Sequence, residues 1–225
     1  MNLDVTATNL QGTGANVRLN EVPDVCPRCH KGIHPKELTF TLNDKRNSVQ
    51  ALFRCTHQSC QEIFIANYIT MGSSTNGRPN YLLSNVAPQK AKQQEFSETI
   101  TEVSPTFIAI YSQALAAEAN GLDQMVGIGI RKALEFLVKD FACNQNPEDE
   151  NEIKEKMLGK CIEDYIQDVS VKACAKRAAW LGNDETHYLR KWEDKDISDL
   201  KLLVKLTVNG IDNVLLTQKY IKEMA

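Results

Sequence analysis

Two periodicities divide the chain. Ahead of residue 72, apolar and polar side chains alternate, as in "KELTFTLND" and "SVQALFRC", and "EIFIANYITM" adds a β-rich run. This patterning predicts about three short strands within residues 21–71. Residues 1–20 are rich in Asn, Thr and Gly without periodicity and read as a flexible tail. The turn-rich "GSSTNGRPN" opens a polar stretch, residues 72–104, that reads as a connector.

From Pro105 the period becomes helical. "SPTFIAIYSQALAAEAN" begins with a Ser-Pro start signal and stops at Gly121. In the next segment Met125, Ile128, Ala133, Leu134, Leu137 and Phe141 trace one apolar face. A weaker helix follows "NQNPEDENE", is interrupted near Gly159 and resumes as "KCIEDYIQD"; "VSVKACAKRAAW" is another. The longest places Leu200, Leu203, Val204, Val208, Ile211, Val214 and Leu215 on one stripe. About five helices with short connections predict an antiparallel bundle over residues 105–225. The expected class is α+β, a small β-rich metal ribbon followed by an all-α bundle.

Charge and leader signals narrow the classes. A formal charge of −3 gives no global positive field for nucleic acid, which leaves only a local basic surface for that purpose. No apolar run approaches the roughly 18 residues of a membrane span, and the first residues have no signal-peptide pattern, so a cytoplasmic protein without membrane association is expected. Three of the cysteines (Cys143, Cys161 and Cys174) stand singly in helical sequence as buried thiols.

The other four form two spaced pairs, "CPRC" at Cys26–Cys29 and "CTHQSC" at Cys55–Cys60. Such pairs let thiolates converge on one tetrahedral ion, and an all-thiolate set favours Zn²⁺ over iron. Cys55 is favoured as the third ligand because it ends a strand; a Cys₃His set with His57 in its place is the alternative. Four protein ligands leave no position for a reactive water, so the expected ion is structural.

"VSPTFIAIYSQALAAE", "GIGIRKALEFLVKDF" and "WLGNDETHY" together resemble a bacterial domain-of-unknown-function family grouped with the HEPN superfamily (higher eukaryotes and prokaryotes nucleotide-binding). The resemblance covers about residues 98–225, and the cysteine-bearing N-terminus looks like the zinc ribbon attached to such domains. It implies a four- or five-helix domain that forms homodimers and is associated with RNA binding or cleavage and with bacterial defence or toxin systems. Cleaving members carry an Arg, a polar residue, three more residues and a His. The His moves protons while the guanidinium stabilises phosphoryl charge. Here Asn183 and His187 match the polar and His positions, but Gly182 stands where the Arg belongs.

Arg131, Arg177 and Arg190 are the arginines that could compensate, with Glu135 one turn beyond Arg131 on the same side of its helix. The same residues also suit a structural role, Gly182 as a helix C-cap and Arg131, Glu135 and His187 as a polar network. Three functions follow: an RNA- or partner-binding regulatory protein, a metal-independent endoribonuclease using His187, or a protein–protein adaptor. No P-loop, Ser-His-Asp order or open metal triad is present in the sequence.

Overall fold

The computed structural model describes residues 2–92 and 94–224. Met1 of the expected tail, Gln93 of the expected connector and Ala225 lie outside the described residues. The chain divides into two compact units, residues 1–92 and 93–225.

The first unit is not a small ribbon. Six strands, β1 (Leu3–Thr8), β2 (Gly14–Leu19), β3 (Lys36–Leu42), β4 (Ser48–Arg54), β5 (Ile63–Thr75) and β6 (Arg78–Ala87), close into a barrel in the order β1-β2-β6-β5-β4-β3. Residues 1–20 therefore supply two barrel strands instead of a tail, and the expected connector supplies the end of β5 and all of β6. The "GSSTNGRPN" break is a hairpin turn. Asn76 and Gly77 both take left-handed backbone there (φ 52° and 73°), the Asn-Gly pairing that matches strand twist.

Strict alternation fills the interior. Val49, Ala51 and Phe53 of β4 and Phe64, Ala66 and Tyr68 of β5 point inward and are fully buried, with Ala7, Val17 and Leu19 opposite them. Two buried tyrosines anchor loops to this core: Tyr68 donates to the Glu21 carbonyl (3.0 Å) and Tyr81 to that of Arg46 (2.8 Å). Burial pushes the Tyr68 phenol well above its ordinary pKa. The barrel thus has a hydrophobic core of its own.

Neighbouring strands are antiparallel except at two short parallel contacts. Arg18–Leu19 of β2 meet Asn80–Tyr81 of β6, and Thr8 of β1 meets Thr41 of β3. Outside the barrel, Asp4 of β1 accepts from Arg18 (2.7 Å) and pairs with Arg78 at the start of β6, bridging the first of these seams.

The second unit is helical. Its helices are α1 (Glu98–Val103), α2 (Pro105–Ala119), α3 (Asp123–Gln145), α4 (Glu150–Glu155), α5 (Leu158–Tyr165), α6 (Val169–Asp184) and α7 (Ile197–Glu223). The observed architecture is α+β, a closed barrel followed by these helices, and it replaces the ribbon-plus-bundle expectation. Ser104 precedes α2 as expected, yet its hydroxyl is buried and donates to Asp140 of α3 instead of capping α2. Asp168 caps α6 through the Val171 N–H (2.8 Å), and Asp196 forms a capping box with Asp199 at the start of α7.

Along α3 the buried stripe runs through Val126, Ile130, Leu134, Leu137 and Phe141, whereas Met125 and Ile128 are exposed. The stripe is displaced because Gly127 faces the turn after α6. A Cβ at Gly127 would lie 2.4 Å from the side chain of Glu185. No described helix is long and apolar enough to cross a membrane.

Candidate metal centre and polar cleft

Both cysteine pairs lie in loops of the barrel. Cys26 and Cys29 sit between β2 and β3, inside a turn closed by a bridge from Val25 to Gly32; Cys55 directly follows β4 and Cys60 precedes β5. The loops turn in the same way. The Arg28 N–H points at the Cys26 sulfur and the His57 N–H at that of Cys55, each at 3.4 Å. The residue after each second cysteine, His30 (φ 57°) and Gln61 (φ 52°), is left-handed and leads the chain out of the loop.

The four sulfurs all lie within 4.8 Å of one another, with Cys26 to Cys60 at 3.9 Å and Cys29 to Cys55 at 3.8 Å. Zinc–thiolate bonds of about 2.3 Å in a tetrahedron put sulfurs about 3.8 Å apart, so the two measured edges fit a bound ion. Cys26, Cys29, Cys55 and Cys60 could hold a metal ion. His57 is not among the converging groups; its Nδ1 lies 2.9 Å from the Ser59 hydroxyl.

Burial pushes the Cys55 thiol up to about 12 and raises Cys60 as well. Burial also opposes ionisation of Cys29, but the Lys31 N–H and the neighbouring thiols outweigh it and bring that thiol below its ordinary value. Such a set ionises together only when a cation supplies the compensating charge. Arg28 lies in the first loop with its Nε buried and without a hydrogen-bond partner among the described residues.

In the helical unit the structure joins three of the five residues expected at the polar site. Arg131 Nε donates to Asn183 Oδ1 (3.0 Å), and its NH1 donates to Glu135 (3.1 Å), which also holds Lys139 (2.9 Å). Burial resists ionisation of Glu135, yet Lys139 and Arg131 prevail and hold its carboxyl below the usual range. These groups open onto a cleft of about 770 Å³ that Lys160, Glu163, Lys176 and Trp180 also line.

His187 and Arg177 are elsewhere. His187 is exposed in the turn after α6, its side chain makes no hydrogen bond among the described residues, and it does not line the cleft. Arg177 folds back to donate to the Ala173 carbonyl (3.0 Å) and lines a different pocket.

Gly182 has a steric cause. A Cβ there would lie 2.7 Å from Cδ and 2.8 Å from Cβ of Arg131. The volume in which a side chain at 182 would sit is filled by the stem of Arg131, which crosses to Asn183.

Two features of this region carried no functional weight in the sequence. Asp184 accepts the N–H groups of Lys191 (2.9 Å) and Trp192 (2.7 Å), folding the loop after α6 back on itself. Trp192 is thereby set parallel to Trp180, centroids 6.5 Å apart and planes 11° from one another. The pair of tryptophans flanking this segment was the available signal.

No protein-family model matches the chain, and neither curated proteins nor solved structures include a match to it.

Proposed function

We propose that the chain is a nucleic-acid-binding protein, with RNA as its partner, that makes contact through the barrel, contains a structural zinc ion and does not cleave what it binds. One observation carries this reading: charge is partitioned between the units. Residues 1–92 hold ten Lys and Arg against six Asp and Glu, a formal +4, whereas residues 93–225 hold sixteen against twenty-three, a formal −7. Phosphate affinity is dominated by such local positive charge, so the near-neutral whole chain conceals a basic module. Zinc on four thiolates removes two charges and leaves the barrel positive.

Zinc is supported by the all-thiolate donor set and the sulfur spacing. Four protein ligands complete its coordination, so when bound it supplies a fixed crosslink between the two loops. Cleavage is not part of the proposal because His187 stands apart from the Arg131 cleft.

The test is fluorescence anisotropy of a labelled single-stranded RNA with the full chain over a range of salt. The expected result is binding at low salt, with an affinity that falls by about 0.7 log units per log unit of salt for each phosphate contact. Lys36→Glu with Lys90→Glu should abolish it. Absence of binding at low salt overturns the reading, and RNA shortened in a His187-dependent manner overturns the non-cleaving part.

A further inference from the structure

We infer that Trp180 and Trp192 form a stacking site for a nucleotide, a flat heteroaromatic ring carrying phosphate. Both indoles line one pocket of about 350 Å³ between α6, the loop after it and α7, with Arg177 and Lys195 at its polar edge and Leu202 beneath. The rings are parallel, and Trp180 keeps 48% of its surface exposed. A tryptophan serving only the core would hide its ring. Here the indole is half exposed, and the Asp184 hydrogen bonds fix the backbone that carries its parallel partner.

Charge decides what the rings accept. An aromatic pair can hold either a planar base or a methylated ammonium ion. Arg177 and Lys195 line this pocket, and the Lys191 ammonium already lies 5.6 Å from the Trp192 ring. Asp199 is the one carboxylate of the lining, and it accepts the Asp196 N–H. Lys195 also pairs with Asp194 (3.5 Å), so three cations stand against two carboxylates, a balance that repels an ammonium ligand and attracts a phosphate. The site therefore takes a base on the indoles and its phosphate on Arg177 and Lys195. This holds whether or not the barrel binds RNA, and the barrel variants named above should leave it unchanged.

The chain has two tryptophans and both are in this pocket, so tryptophan emission reports on this site alone. The full chain is titrated with adenosine 5′-monophosphate, adenosine and a short oligoadenylate. Saturable quenching by the monophosphate is expected. Trp180→Leu, at a half-exposed position and checked for an unchanged melting temperature, should weaken binding by about tenfold. Trp192→Phe retains a ring and should retain binding, while Arg177→Gln should weaken the monophosphate and leave adenosine unaffected. Saturation by the monophosphate identifies a free nucleotide as the ligand; saturation by the oligomer alone identifies a nucleotide within a strand. Unchanged emission with both, or quenching that survives intact in Trp180→Leu, overturns the inference.

Discussion

Replacing Gly182 by alanine tests how closely α6 is meant to approach α3. The new methyl group would meet Arg131 at Cδ (2.7 Å), Cβ (2.8 Å) and Cγ (3.1 Å). Rotation can remove Cδ and Cγ, but Cβ is fixed to the α3 backbone, so the helices have to part by some tenths of an ångström. Overpacking costs roughly 1–3 kcal/mol, and a contact fixed to the backbone belongs in the upper part of that range, about 2–3 kcal/mol. Alanine returns up to about 1 kcal/mol of helix propensity over glycine, leaving a net loss of about 1–2 kcal/mol. For a helical unit of this size that corresponds to a melting temperature lower by roughly 3–8 °C. Thermal unfolding followed by helical circular dichroism provides the measurement. A Gly182→Ala protein that melts at the original temperature or above would refute the steric argument. Gly182→Arg, which forces a larger side chain into the same space, should lower stability further and create no ribonuclease activity.

Three other outcomes are expected. The carboxyl of Asp4, held at about 2 first by the hydrogen bond from Arg18 and then by Arg78, is depressed below its unfolded value of 3.8. Its contribution is present above that unfolded pKa and is lost as pH falls towards 2, so acid titration of barrel unfolding should show a loss between about pH 4 and 2 that Asp4→Asn abolishes. Metal removal by a chelator should erase amide protection in the two cysteine loops, residues 25–34 and 54–62, and preserve it in the middle of β4 and β5. Loss of protection across the whole barrel would show that the metal, not the packed interior, carries its stability. Asp184→Ala removes a charged acceptor from two N–H groups and should cost about 1.5–3 kcal/mol, with faster exchange at Lys191 and Trp192 as its local signature.

The cysteine pairs could be read in the sequence because their chemistry depends on spacing, and the four sulfurs converge as that spacing implies. The central strands β4 and β5 were visible because β4 alternates apolar and polar residues and β5 opens on a dense run of β-branched and aromatic residues, Ile63, Phe64, Ile65, Tyr68 and Ile69. β1 and β2 do alternate, with Leu3, Val5 and Ala7 in the first and Ala15, Val17 and Leu19 in the second, but each spans six residues and is set among Asn, Thr and Gly, so the segment was read as a polar tail. β6 was hidden because its outer face is Asn- and Ser-rich and only Tyr81 is fully buried. In the helical unit, Arg131, Glu135 and Asn183 meet as helix geometry allowed. The distance of His187 from them depends on how the loop after α6 folds, which Asp184 decides through backbone contacts that no residue pattern announces. The basic barrel went unseen because its excess charge is cancelled in the sum over the chain.

The hairpin of β1 and β2 has little backbone pairing with the remaining strands, two residues of β2 on one side and one residue of β1 on the other, with Asp4 as an external latch. Its hold otherwise rests on the buried side chains of Ala7, Val17 and Leu19 and on Asn20, which bonds to β6. When it swings away, β3 and β6 are left as naked edges, and the matching hairpin of another molecule can dock there as readily as its own. Concentrated protein held in acid, where the latch is protonated, is the condition under which exchanged dimers should accumulate.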